Sequence, residues 1–80
     1  MKVRVYVSLK PAVLDPQGKA ICNSLHRLGY EEVESTRLGK YIELELNETD
    51  PKIAAKRVDE MCRTLLSNPL IENARHEFAE

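Results

Sequence analysis

Residues 3 to 9 read Val-Arg-Val-Tyr-Val-Ser-Leu, and this strict alternation constrains the start of the chain more than any other feature does. Successive side chains of a strand point to opposite faces. Val3, Val5, Val7 and Leu9 therefore share one face, and Arg4, Tyr6 and Ser8 the other. β-Branched residues at alternate positions suit a strand with one buried side. Lys10-Pro11 ends it, because proline has no N–H for a ladder.

The buried face needs a cover, and two Asp-Pro pairs announce the helices that could supply one. Asp15 fits an N-cap with Pro16 at the first helical position. Ile21, Leu25 and Leu28 follow at spacings of four and three with Cys22 beside them, the apolar stripe of an amphipathic helix. Gly29 is a natural left-handed stop. Gly18 in the first turn costs about 1 kcal/mol against alanine, which suggests a close neighbour there. Asp50-Pro51 repeats the start signal. Ile53, Ala54, Arg57, Val58, Met61, Cys62 and Leu65 trace the second helix, with Leu66 flanking, and Asn68-Pro69 closes it.

Between the helices, Val33 begins an extended run, and Tyr41 to Leu46 alternates cleanly. Ile42, Leu44 and Leu46 point one way, and Tyr41, Glu43 and Glu45 the other. Arg37-Leu38-Gly39-Lys40 lies between the two parts. If Gly39 supplies a positive φ, residues 31–47 form a tight hairpin, the favoured reading. A bulge in one long bent strand is the alternative. Leu70 to Phe78 reads as a last strand at a sheet edge.

The order is β-α-β-β-α-β, which fits an α+β fold, a two-layer ferredoxin-like sandwich occupying residues 1–80 as a single domain. Its other sheet face is left open, carrying Arg4, Tyr6, Tyr41, Glu43 and Glu45. Tyrosine mixed with charge suits a protein contact. A chain of 80 residues buries only about 60% of its unfolded surface, so association is a standard remedy. Self-association through the sheet is expected.

The net charge of −1 comes from 12 basic and 13 acidic residues mixed along the chain, which argues against nucleic acid and against a polybasic membrane anchor. No apolar run reaches the ~18 residues needed for a membrane span. The alternating N-terminus is unlike a signal peptide, which places the start of the mature chain at Met1 and favours the cytoplasm. Cys22 and Cys62 sit forty residues apart among apolar neighbours and read as small buried hydrophobes. His26 and His76 have no partner at metal spacing. The clusters Glu31-Glu32-Glu34 and Glu43-Glu45-Glu48 read as solvated, and Gly18, Gly29 and Gly39 are too scattered for a phosphate loop. No catalytic, cofactor-binding or metal site is expected. An ACT-type ligand-sensing dimer shares the element order and is the competing reading.

Specific motifs carry a resemblance as well. Residues 5 to 21, with Leu14-Asp15-Pro16-Gln17-Gly18 as the core, look like the N-terminal signature of the PurS family, the small subunit of phosphoribosylformylglycinamidine (FGAM) synthase. Leu28-Gly29-Tyr30 with Val33, the run Arg37 to Leu44, and the run Leu65 to Glu72 resemble further family motifs in order. Ala74 departs from the family, which often has an aromatic there. The resemblance implies a non-catalytic assembly subunit of an ATP- and glutamine-dependent ligase of purine biosynthesis. It would help hold a glutaminase subunit to a large synthase subunit, where ATP and magnesium act. It also implies self-association as a dimer or tetramer. The expected interface residues are Tyr6, Arg37, Gly39, Lys40 and Tyr41.

Overall fold

The alternating N-terminal segment forms β1, Lys2–Leu9, the central strand of the sheet in the computed structural model, which describes residues 1–79. β2, Gly39–Glu45, and β3, Glu72–Phe78, flank it, giving the order β2-β1-β3. Both pairings are antiparallel, with Val5 opposite Ile42 on one side and His76 on the other. The last strand is thus an edge, and Ala74, His76 and Phe78 share the valine face through their pairing with Val7, Val5 and Val3.

Val3, Val5 and Val7 are at most 2% exposed. Burial of each such side chain stabilises the fold by roughly 1.5–3 kcal/mol. Their cover is α2, Pro51–Met61, which brings Val58 onto them, and a π-helical turn, Cys62–Leu66, which adds Cys62. Met1, Ile42, Leu44, Leu46 and Leu66 pack around this cluster. The expected α-helix thus changes character at Cys62, where the Ser67 N–H reaches back to the Cys62 carbonyl at 3.0 Å. Both helices begin as the sequence indicates: Asp15 accepts from the Gly18 N–H and Asp50 from the Lys52 N–H, each at 2.9 Å.

α1, Pro16–Arg27, is different in its surroundings. Only Gly18 and Cys22 are buried on it. Leu28, just past its end, is 73% exposed, and Ile21 is 39% exposed. The stripe expected to face the sheet therefore lies outside the core cluster. The chain is elongated accordingly, with principal extents of 48 × 27 × 14 Å and a radius of gyration of 15.9 Å. A compact domain of this length would have about 12 Å.

The α+β class holds, and the β-α-β-β-α-β order is kept with its second β position held by residues 33–38, which carry no ladder. The favoured hairpin does not form. Gly39 opens β2 opposite Ser8 rather than turning the chain. Among the described residues, Gly29 alone has a positive φ, at 102°. The sequence value of Gly39 is close approach instead: a Cβ there would lie 2.7 Å from the Val7 carbonyl oxygen. No helix is long and apolar enough to cross a membrane among the described residues.

Candidate interaction site

Residues 33–38 run back along α1, antiparallel to it, and the two together form an arm. Asp15 fixes the arm at its root. One carboxylate oxygen caps α1 through the Gly18 N–H, and the other accepts from the Leu38 N–H at 2.9 Å. The Leu38 N–H, then the Gly18 N–H, and then the nearby Arg37 guanidinium hold the Asp15 carboxyl below the usual carboxylate range, against the opposing effect of burial. Arg37 also donates to the Lys10 and Val13 carbonyls at 3.0 and 3.2 Å. One turn out from the root, Gly18 lies so close to the returning segment that a Cβ would sit 2.4 Å from the Thr36 carbonyl oxygen. The close neighbour suggested by a glycine in a helical first turn is thus Thr36.

Further out, His26 Nε2 donates to the Val33 carbonyl at 2.6 Å, and the Cys22 thiol lies 3.8 Å from the same nitrogen. A carbonyl only accepts, so Nε2 carries the proton and is no base toward the thiol. Cys22 and His26 therefore brace the arm rather than form a nucleophile and base. Burial, and then the neighbouring Asp59 carboxylate, pushes the Cys62 thiol up, away from the reactive thiolate. Among the described residues no group of three His, Cys, Asp or Glu could hold a metal ion.

The second feature is the sheet face turned away from α2. Strand register arranges it in rows: Glu45 beside Lys2, Glu43 beside Arg4, Tyr41 beside Tyr6. The two tyrosine rings lie 5.4 Å apart, and the Arg75 guanidinium from β3 sits 4.2 Å over the Tyr6 ring, a cation–π contact. Tyr6 donates to Glu77 at 2.8 Å and Tyr41 to Glu43 at 2.7 Å. Those hydrogen bonds are the chief reason both phenols sit above their ordinary pKa. Glu43 is correspondingly held low, first by the Tyr41 hydroxyl and then by Lys2. The charges of this face are interleaved.

The five expected interface residues separate into two groups. Tyr6 and Tyr41 stand together on the open face. Arg37 and Gly39 belong to the root of the arm. Lys40 has the opposite parity to Tyr41 and pairs with Glu72 at 3.6 Å. The sequence marks Asp15 only as the N-cap of α1, and it marks Thr36 only through the close neighbour that Gly18 suggests.

These features define a class: an α+β module with one open sheet face and one arm outside its core. The sequence model of the family described as "PurS: Phosphoribosylformylglycinamidine (FGAM) synthase" matches residues 2–80. The FGAM synthase subunit PurS of Bacillus subtilis (strain 168) is 49% identical over 79 residues, covering 99% of this chain and 93% of that protein. The solved Bacillus subtilis PurS structure superposes with a TM-score of 0.84 over 99% of this chain and 98% of that one. A chain in the structure of PurLQS from Thermotoga maritima gives 0.87 at 32% identity, covering 95% of this chain and 93% of that one. The chain belongs to the PurS family, subunits of FGAM synthase in purine biosynthesis. Catalysis in this family is a property of the synthase complex, a ligase, and the ACT-type reading gives way to this assignment.

Proposed function

We propose that this chain is a non-catalytic assembly subunit that docks the glutaminase subunit to the large synthase subunit in a cytoplasmic complex, with ATP and magnesium acting on the large subunit. The observation that carries this reading is the arm. A helix whose apolar stripe lies outside its own core is built to be covered by another chain. The likeness to a chain of PurLQS supports the choice of partners.

Self-association follows from the same observation. The hairpin expected at 31–47 would have placed residues 31–38 against the outer edge of β2, which is a free edge in the order β2-β1-β3. In this chain those residues lie out on the arm. A second copy's arm supplies the missing strand to that edge and its α1 stripe to the sheet, and the exchange is reciprocal. Exchange of an identical element is a low-cost route to a dimer. Arg37 and Gly39 then act at the interface by setting the root of the arm.

The test is reconstitution. Mixing the large and glutaminase subunits with this chain gives glutamine-dependent FGAM formation, and omitting the chain abolishes it. Full glutamine-dependent activity without the chain would sink the reading.

A further inference from the structure

The outer edge of β3 is the sheet edge that arm exchange leaves free. Ala79 donates its N–H to the Lys2 carbonyl, and Lys10 donates its own to the Ile71 carbonyl. In an antiparallel ladder such bonded pairs recur at every second residue. Residues 73, 75 and 77 therefore bond β1, and Glu72, Ala74, His76 and Phe78 present their backbone N–H and C=O groups to the open edge. The side chains of these four lie on the helix side of the sheet, yet Ala74 is exposed. The helix layer stops short of the edge there and leaves a cleft of about 290 Å³. Ala74 and Asn73 line it from β3, Cys62 and Arg63 from the π-helical turn, Asp59 from α2, and Lys10 from just past β1. The carboxylates at this cleft are taken. Asp59 faces His76 at 3.5 Å, and Glu72 holds Lys40 at 3.6 Å and accepts from the Asn68 N–H at 2.7 Å. The cations are not: neither Lys10 nor Arg63 has an ion pair among the described residues.

From this we propose that the β3 edge is a groove for an extended segment of a partner subunit of the synthase. The segment continues the antiparallel sheet and places an aspartate or glutamate opposite Ala74, between Lys10 and Arg63. Directly opposed residues of paired strands share a face, so the side chain opposite Ala74 is aimed into the cleft. Strand addition to an exposed edge takes its affinity from main-chain hydrogen bonds and its specificity from pockets for alternate side chains. Clefts for drug-sized ligands span about 300–1,000 Å³, and this one falls below that range, at the scale of a side chain. Two uncommitted cations select a carboxylate as that side chain. A second copy's β3 does not supply it, because its one carboxylate of helix-side parity, Glu72, is already held by Lys40 and the Asn68 N–H. The inference rests on the docking reading above and names a surface for it.

The experiment titrates the chain into a mixture of the large and glutaminase subunits and reads the concentration that gives half-maximal glutamine-dependent activity. Ala74→Pro removes an N–H that points to the open edge, a position where a strand tolerates proline, and its ring blocks an added strand. Arg63→Glu sets a like charge against the incoming carboxylate. Arg63→Glu is expected to raise the half-maximal concentration by about 30-fold or more, as breaking a buried charge pair does. Ala74→Pro is expected to raise it at least as far. Circular dichroism and the particle mass of the isolated chain stay as in wild type. Residue-level amide exchange supplies an independent readout. The Ala74, His76 and Phe78 amides exchange freely in the isolated chain and become protected in the complex, while those of residues 73, 75 and 77 are protected in both. Unchanged half-maximal concentrations in both variants overturn the proposal, as does unchanged exchange at Ala74, His76 and Phe78. A rise with Ala74→Pro but not with Arg63→Glu overturns the acidic occupant and the proposal with it. A fall in the mass of either isolated variant also overturns it, giving the edge to a second copy. If Ala74→Pro does not fold, Arg63→Glu and the exchange pattern decide, and both must respond. Full glutamine-dependent activity without the chain removes the docking reading itself. A chain that is required, and that both variants replace at wild-type concentration, removes the groove alone.

Discussion

α1 and α2 begin with the same device and finish in different environments. Each has an aspartate N-cap followed by proline, and each aspartate accepts a backbone N–H at 2.9 Å. α2 then places Ala54 and Val58 at 0% exposure against the sheet, whereas α1 ends beside a leucine that is 73% exposed. The two apolar stripes are comparably clear in sequence. Local signals therefore decide that a helix forms and where it starts, and they leave open which surface, or which chain, covers it. The sheet half completes its core within the chain. The arm half is ordered by hydrogen bonds at its root and leaves Ile21 and Leu28 exposed.

The sharpest way to break this contrast is to put the same charge in each half. Val3→Asp buries a carboxylate in the valine cluster between Leu44 and Phe78, where it has no partner. Such a group costs several kcal/mol, comparable to the stability of a whole domain. The expected result is loss of the cooperative thermal transition. Leu28→Asp should instead keep the circular dichroism spectrum and weaken self-association by roughly 30-fold or more, as loss of an interface anchor does. Sedimentation across a dilution series reads this directly. If Leu28→Asp unfolds the chain, the arm is part of the core after all.

Gly18→Ala sharpens the comparison inside the arm. The added methyl would meet the Thr36 carbonyl oxygen at 2.4 Å and the Asp15 carboxylate at 2.6 Å, so residues 33–38 must move away from α1 and the Asp15 cap must shift with them. Overpacking of this kind costs about 1–3 kcal/mol. Amide exchange should rise at residues 33–38 and stay unchanged in β1. Equal exchange increases in both regions would show that arm and sheet unfold as one unit.

The smallest effect concerns pH. Because the native pKa of Asp15 is depressed, its contribution is present above the unfolded value of about 3.9 and is lost as pH falls through the lower native value. Wild type should lose stability in that acid window. Asp15→Asn should be less stable at neutral pH and should show a shallower fall below pH about 4. Parallel stability–pH curves for the two proteins would remove the carboxylate from this role.

Much of the sheet half was legible because its signals are local and repeat every second residue. The alternation of Val3 to Leu9 specified β1, and the parity of Tyr41 to Glu45 put Tyr41 and Tyr6 on one face. The rows that align Arg4 with Glu43 needed the register, which spacing alone does not fix. The arm was read less well, for two physical reasons. Glycine answers both to a positive φ and to close backbone approach; the sequence at Gly39 suggests the first, and the structure uses the second, against Val7. The stripe Ile21, Leu25 and Leu28 reads in sequence as part of this chain's core and lies outside it in the structure, since periodicity reports a need for cover and is silent about its source. The second oxygen of Asp15 was also out of reach, because its acceptor role spans 23 residues to Leu38.

That second oxygen has a mechanical consequence. By gripping the start of α1 and the approach to β2 with one side chain, Asp15 turns two flexible crossings into a hinge pin. Arg37 braces the same point from the other side through Lys10 and Val13. The direction of the arm is thus set by contacts within the chain, at a single point near its root.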